Sequence, residues 1–348
     1  MIRAAVIGAG FAGGAHVDAV RRIPGVELVG IAASSSGRST EAAERLGAHS
    51  FESIDALLEA ADAVHNCTPN DLHASLGARA LESGAHLLSE KPVGRTAEEA
   101  GGLAAAAAGS DRVAAVCLNY RYFPAIARMR ELVAEGAIGE VTMVRGSYLQ
   151  DWLLDLVGPT WRRDESRSGP SGTLADLGTH LFDLARHVTG LEVAGLAASL
   201  STVLADDDGL DDHGSVLTRF EGGAHGSFVL SQVAAGSKND LRLTVDGTEG
   251  SISWAEEDPE ALRVSRRGEY TAIQMRTPEW KPSRRYGGLP VGHIEGWAAA
   301  VRNLVADFYT AVAGTTDASP PSLDDGVRTA ELVEHALRSA REGVWVEC

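Results

Sequence analysis

The sequence predicts an α/β protein in two parts: a doubly wound parallel sheet, then an α+β part built on an open, mostly antiparallel sheet. Three observations carry this expectation. Residues 2–119 alternate short apolar runs with amphipathic segments, the pattern of strands joined by crossover helices. The first of those runs enters the glycine turn VIGAGFAG and then a helix. In the second half, short strand-like runs follow one another without helices between them, which makes neighbours antiparallel.

Taken in order, the first half counts six strands, near 2–7, 26–33, 48–51, 63–68, 86–89 and 113–118, the third of them weak. Helices are expected from Phe11, Thr40, Ser53, Leu72 and Ala97. A linking helix follows over 123–135, ended by Gly136 and Gly139, and a strand over 140–149. Later strands are expected near 193–201, 214–220, 226–233, 241–245 and 251–254, then two helices over about 294–312 and 323–341. The domain boundary is placed at 122/123, giving a nucleotide-binding part (1–122) and a substrate and assembly part (123–348) whose last helix packs back on the body.

The turn after the first strand has the spacing G-x-G-x-x-G. Gly8 allows the tight turn, Gly10 allows backbone to approach a pyrophosphate, and Gly13 lets helix pack on strand. Phe11 and Ala12 begin that helix, whose free amides and positive dipole suit phosphates. A dinucleotide is therefore expected here. The second strand ends in AASSSGR, with Ala33 about where a ribose-binding carboxylate would stand. Ser34, Ser35 and Arg38 offer hydroxyls and a guanidinium instead, which favours NADP over NAD, although the same residues make an ordinary turn.

Ligands of such sheets sit beyond the carboxyl ends of the strands. That rule selects Thr68, Pro69, Asn70 and His73 after one strand, Glu90, Lys91 and Pro92 after the next, and Asn119 and Arg121 after the last. His73 reads equally as an exposed helix residue. Lys91, just past a strand end and braced by proline, is placed to bond a substrate hydroxyl, against the ordinary reading of a solvated surface lysine.

In mid-chain, GTLADLGTHLFDLARHVTG at 172–190 reads as a buried amphipathic helix, with Leu174, Leu177, Leu181, Leu184 and Val188 on one stripe. Asp176 and His180 stand four apart, so on an α-helix they share a face, and Asp183 continues it. Such a pair is either catalytic or a satisfied buried contact. His180, Asp183 and His187 also have workable metal spacing, but no further ligand cluster accompanies them and no metal is expected.

Charge and cysteines narrow the partners. Thirty-one basic against 48 acidic side chains give a net charge of -17, which repels nucleic acid and anionic membrane. No apolar run is long enough to span a bilayer. Cys67, Cys117 and Cys348 are isolated and odd in number, which suits a reducing compartment, so a cytoplasmic protein acting on a small molecule is expected.

With VIGAGFAG, CTPNDLH, EKP and GTLADLGTH in this order, the chain resembles the glucose-fructose oxidoreductase, inositol dehydrogenase and MocA (Gfo/Idh/MocA) family over essentially its whole length. The resemblance implies a Rossmann domain followed by an α/β domain with a largely antiparallel sheet. It implies oxidation of a sugar or polyol hydroxyl by a nicotinamide cofactor, and assembly into homodimers or homotetramers through the sheet. It carries catalytic roles onto Lys91, Asp176 and His180. The second strand end lacks the acid of the family's NAD-preferring members. On this reading His180 is the general base, Asp176 orients it or bonds a neighbouring hydroxyl, and Lys91 stabilises the developing alkoxide. Substrate contacts are assigned to Gln150, Asp151, Trp161, Arg162 and His293, whose chemistry suits sugars, with core packing the alternative for the tryptophans. Two rivals remain: a glycoside-cleaving enzyme that recycles a bound cofactor, and a non-catalytic dinucleotide sensor.

Overall fold

The structure is a computed structural model of the 348-residue chain and describes every residue except 157, 159, 205–208 and 316–317. It divides into two compact units. The first comprises Met1–Asn119, Ser166–Gly169 and Val301–Ala330; the second comprises Tyr120–Glu165, Pro170–Ala300 and Glu331–Cys348.

In the first unit the chain runs β1 (Ile2–Ile7), α1 (Phe11–Val20), β2 (Val26–Ala32), α2 (Ser36–Leu46), α3 (Ile54–Ala60), β3 (Ala63–Asn66), α4 (His73–Glu82), β4 (His86–Ser89), α5 (Ala97–Ala108) and β5 (Ala114–Val116). The five strands form one parallel sheet in the order β2-β1-β3-β4-β5. Local chemistry explains the helix starts. Ser35, Ser53 and Thr96 each accept a backbone N–H from the first turn of α2, α3 and α5, satisfying donors that a helix leaves open. Gly47 ends α2 in the left-handed region at φ +61°, where glycine has no Cβ to clash. Ile7, Leu57, Val64, Leu87 and Leu103 form a dry core that also takes Leu323 and Ala330 from the returning segment. The third of the expected strands, at 48–51, is only a single parallel bridge, Ile31 to Ser50. Its His49 and Phe51 backbone groups bond Ile31, and the chain then turns into α3 before a ladder can extend.

The second unit carries α6 (Pro124–Ala134), β6 (Val141–Leu149), the short α7 that begins at Glu165, α8 (Thr179–Thr189), β7 (Val193–Ser201), β8 (His213–Phe220), β9 (His225–Ser231), β10 (Asp240–Gly247), β11 (Gly250–Ala255), β12 (Ala261–Arg266), β13 (Ala272–Met275), α9 (Lys281–Tyr286), the first residues of α10 (Trp297–Val312), the last residues of α11 (Leu323–Glu342) and β14 (Val346–Glu347). Its nine-stranded sheet is ordered β13-β12-β11-β10-β6-β9-β8-β7-β14, antiparallel throughout except that β6 and β9 run parallel. One sheet face packs on α8: Phe182 meets Phe228 edge-on, both fully buried, and Gly146 leaves room where a Cβ would strike Leu181 and Phe228. Along β8 the side chains alternate, Val216 and Phe220 inward and Leu217 outward, as period two requires. The opposite face exposes Met143, Leu217 and Val229 among polar residues.

Sequence patterning did not anticipate β12, β13 and β14. β12 alternates apolar with charged residues after a turn-rich stretch, and β13 and β14 are short edge strands. No helix among the described residues is long and apolar enough to cross a membrane.

Candidate active site

In the first unit the β1–α1 turn divides its glycines by task. Gly8 sits at φ +106°, and a Cβ there would lie 2.2 Å from the Cys67 carbonyl oxygen. A Cβ on Gly13 would lie 2.1 Å from the Gly8 carbonyl. Both are demanded by packing. Gly10 is different, because its Cβ would meet nothing within 4 Å; the space beside it is open, as a pyrophosphate needs. Phe11, at the head of α1 with Ala12 beside it, is 79% exposed. At the end of β2 the Arg38 guanidinium donates to Ser34 Oγ at 3.2 Å, while Ser35 serves as the α2 cap.

The strand ends β3 and β4 hold the remaining first-unit candidates. Thr68 Oγ1 donates to Asn66 at 2.7 Å, Pro69 follows, and the Asn70 amide donates to the Ser168 carbonyl at 2.9 Å. His73 is buried, not surface-exposed. Its ring nitrogens contact the carbonyls of Thr68 (2.7 Å) and Pro92 (2.6 Å), so it braces the two loops that bear Thr68 and Lys91. Burial pulls the His73 imidazole below its ordinary value, against the two carbonyls that favour the protonated ring. Asn119 is 3% exposed, and its amide nitrogen has no hydrogen-bond partner among the described residues. A buried orphan donor is rare, and it fits a ligand acceptor. Open glycine, exposed helix head and orphan amide together suit a bound dinucleotide.

Glu90 anchors Lys91. Its carboxylate accepts from the Lys91 backbone amide (3.1 Å), from His16 Nε2 (3.2 Å) and from the Cys117 thiol. Burial alone would raise the acid, but the His16 hydrogen bond and the neighbouring Lys91 and His73 outweigh it and hold Glu90 down at about 2. His16, Glu90 and Cys117 are the one group of three metal-type donors among the described residues, within 4.8 Å of one another. Both His16 nitrogens are engaged, by His65 and Glu90, so hydrogen bonding accounts for the cluster.

In the second unit the 172–190 segment is not one continuous α-helix. Leu174–Gly178 is a π-helical turn, and α8 begins at Thr179. The wider turn changes the angular offset of Asp176 and His180 from the α-helical value expected of an i, i+4 pair. Buried Asp211 accepts from Ser171 Oγ (2.7 Å), Gly172 N (2.9 Å) and Leu174 N (2.6 Å), taking the place of a local cap. Gln232 Nε2 donates to Asp176 Oδ2 at 2.7 Å, and Thr173 Oγ1 donates to Gln232 Oε1 at 2.8 Å. His180, 6% exposed, packs edge-on against Tyr120 at 4.8 Å between ring centroids. The Tyr120 and Tyr148 hydroxyls bond each other at 2.7 Å, and burial raises both above the usual phenol range.

The remaining candidate residues have protein partners of their own. Arg121 forms a buried ion pair with Asp183, so that guanidinium secures α8. Asp183 is thereby taken from the helical metal set considered above, and His187 lies instead against Arg130 at 3.2 Å. Gln150 bonds Asn239 and accepts from Trp152 Nε1. Asp151 pairs with Lys238 at 2.8 Å, which holds its carboxyl below the usual range. Arg162 stacks on Trp161 at 4.5 Å and faces Trp152 at 5.8 Å, an aromatic and cationic platform. His293 is exposed in a loop whose carbonyl at 293 accepts from Arg276. Sequence reasoning missed Gln232, Asp211 and His16, and named Tyr120 only as part of the last strand end, Asn119-Tyr120-Arg121. Only His16, three residues past the glycine turn, carried a local signal.

A parallel sheet with a glycine turn shaped for pyrophosphate, and a lysine held at a strand end, define a dinucleotide-binding oxidoreductase. Residues 2–118 match the model of the oxidoreductase family with an NAD-binding Rossmann fold, and residues 126–253 match the GFO/IDH/MocA C-terminal domain. The chain is 33% identical to the levoglucosan dehydrogenase of Pseudarthrobacter phenanthrenivorans, covering 98% of this chain and 97% of that protein. Among solved structures, an inositol dehydrogenase homolog complexed with NAD+ from Azotobacter vinelandii superposes with TM-score 0.93 at 28% identity, covering 100% of this chain and 97% of that one. A levoglucosan dehydrogenase in complex with NADH and levoglucosan also gives TM-score 0.93, at 31% identity over 99% and 98% of the two chains. The chain belongs to the Gfo/Idh/MocA family of oxidoreductases.

Two outcomes test this site. Gly10→Ala is expected to leave unfolding in urea within about 1 kcal/mol of wild type, since a Cβ there meets nothing, while weakening dinucleotide binding about tenfold or more by titration. Unchanged binding would deny Gly10 its role. The low value of Glu90 gives stability that is present above the ordinary carboxyl value of 4.5 and lost as pH falls through about 2. The stability gap between wild type and Glu90→Gln should therefore be full above pH 4.5 and close on acidification toward about 2. A gap independent of pH would show that the charge of Glu90 is not what matters.

Proposed function

We propose that the protein oxidises a secondary hydroxyl of a sugar, polyol, inositol or related sugar derivative, using NAD(P) as hydride acceptor. The observation that carries this reading is Lys91, held by the Glu90 carboxylate at the carboxyl end of β4 in the same unit as the open Gly10 cradle. The names of its relatives, a levoglucosan dehydrogenase and an inositol dehydrogenase homolog, support substrates with ring hydroxyls.

The bound nicotinamide supplies the hydride acceptor. Three side chains of this protein handle the hydroxyl. His180 takes the proton as the carbinol hydrogen leaves, since an imidazole exchanges protons near neutral pH. Asp176, held by Gln232, orients that base or bonds an adjacent hydroxyl. Lys91 stabilises negative charge growing on the oxygen. Trp161 with Arg162 stacked upon it offers an apolar ring face and bidentate donors, the combination that recognises sugars. Asn119 contributes its amide to the cofactor or substrate.

For the cofactor, Ser34 and Arg38 facing each other at the end of β2, with alanine in place of an acid at 33, favour NADP. The second reading is NAD, supported by the NAD+ and NADH complexes of the two solved relatives. The assembly is a homodimer or homotetramer through the sheet face bearing Met143, Leu217 and Val229, which light scattering of the purified protein reads directly. Cys67, Cys117 and Cys348 form no disulfide, which fits work in the cytoplasm.

Lys91→Met and His180→Ala are each expected to lower turnover about 100-fold or more with cofactor affinity nearly intact, measured by steady-state kinetics and titration. Wild-type turnover in either variant removes the role given to that residue. For cofactor choice, kcat/KM should be higher with NADP than with NAD, and Arg38→Ala should lower the NADP value about tenfold while leaving NAD within about twofold. The opposite order assigns NAD.

A further inference from the structure

Behind Lys91 the first unit buries a polar chain that the reaction just described does not use. His16 and His65 are both fully buried, and Tyr309 is 3% exposed. Three contacts run in series: Tyr309 hydroxyl to His65 Nε2 at 2.7 Å, His65 Nδ1 to His16 Nδ1 at 2.7 Å, and His16 Nε2 to Glu90 Oε1 at 3.2 Å. The other carboxylate oxygen accepts the Lys91 amide. The four groups come from β3, α1, the end of β4 and the returning segment 301–330.

With both imidazoles neutral, the chain has one consistent direction. An ionised carboxylate only accepts, so His16 Nε2 must carry hydrogen. With one proton on each imidazole, His16 Nδ1 then accepts, His65 Nδ1 donates, His65 Nε2 accepts, and the Tyr309 hydroxyl donates. Burial keeps His65 neutral, by lowering its value well below that of a free imidazole, and keeps the Tyr309 phenol protonated by raising it. Every polar atom along the path is thereby satisfied, and each bond polarises the next toward Glu90. Two fully buried imidazoles beside a largely buried carboxylate are costly, and apolar residues would pack such a core without that penalty. The arrangement therefore asks for a use, and among the described residues it ends at Glu90, on the Lys91 backbone amide and the Cys117 thiol.

We propose that Tyr309, His65, His16 and Glu90 form a one-way hydrogen-bond relay that sets the position of Lys91, making all four positioning residues for hydride transfer. The proposal rests on the reading of Lys91 as the group that stabilises the reacting oxygen. Its groups act through Lys91. The segment 301–330 of the first unit delivers Tyr309 to the relay.

The test has two independent readouts. Nitrogen-15 NMR of histidine-labelled wild-type protein, with His16→Gln and His65→Gln for assignment, reports which ring nitrogen carries hydrogen. The expected result is His16 as the Nε2–H form and His65 as the Nδ1–H form, with Tyr309→Phe disturbing His65 first. Either ring doubly protonated, or either in the other tautomer, overturns the relay whatever the enzyme's activity. Kinetics supply the second readout: Glu90→Gln should lower kcat about tenfold and Tyr309→Phe about threefold, with KM for both substrates within about twofold, as expected for residues that hold a catalytic group in place. Glu90→Asp should restore part of the loss. Equal kcat in wild type, Glu90→Gln and Tyr309→Phe overturns the positioning role. Stoichiometric metal in the purified protein, read by elemental analysis, would reassign His16, Glu90 and Cys117 as ligands and also overturn it. If no sugar or polyol is oxidised, the functional reading fails while the tautomers remain a valid measurement.

Discussion

The first unit depends on one negative charge largely withdrawn from water. Glu90 stands where the β4 strand ends, and its carboxylate gathers donors from α1, from the end of β5 and from the loop that carries Lys91. An acid in an apolar interior is stable only if its oxygens are met by hydrogen-bond donors. Here they are, so the anion ties three chain segments to one point at the edge of the sheet. The parallel β4 strand brings that point to the carboxyl end of the sheet, the edge on which the Gly10 turn also opens. Fold topology and electrostatics thus select the same edge.

The second unit solves a comparable problem by different means. Its π turn at Leu174–Gly178 leaves backbone donors exposed, and Asp211 satisfies them from β8's side of the sequence, about forty residues away. Gln232, at the end of β9, holds Asp176, and the tyrosine pair at 120 and 148 walls His180. Each polar group that the reaction would use is held by a neighbour that is itself bonded, which limits rotamer freedom before substrate arrives.

Much of this was legible in the sequence because the signals are local. The glycine turn is defined within six residues, and its context between strand and helix gives it meaning; the distinct tasks of Gly8, Gly10 and Gly13 follow from backbone geometry that any such turn shares. Lys91 was singled out from a strand end and a proline. The failures are long-range. Asp211, Gln232 and Tyr309 reach their partners across 37, 56 and 244 residues, and no spacing rule connects them. Arg121 stands past a strand end as the rule has it, and its ion pair with Asp183, on a helix 62 residues on, is a partner no rule supplies. The weak strand at 48–51 failed for want of length: one bridge forms, and the chain turns away.

The most direct test of the account follows the transferred hydrogen. A sugar or polyol that the protein oxidises is prepared with deuterium on the reacting carbon, and the cofactor is recovered after turnover for NMR. The account requires one deuterium at carbon 4 of the nicotinamide for each ketone formed, with reduced cofactor accumulating in step. Deuterium that leaves no mark on the nicotinamide, or product released without net reduction of cofactor, would contradict it.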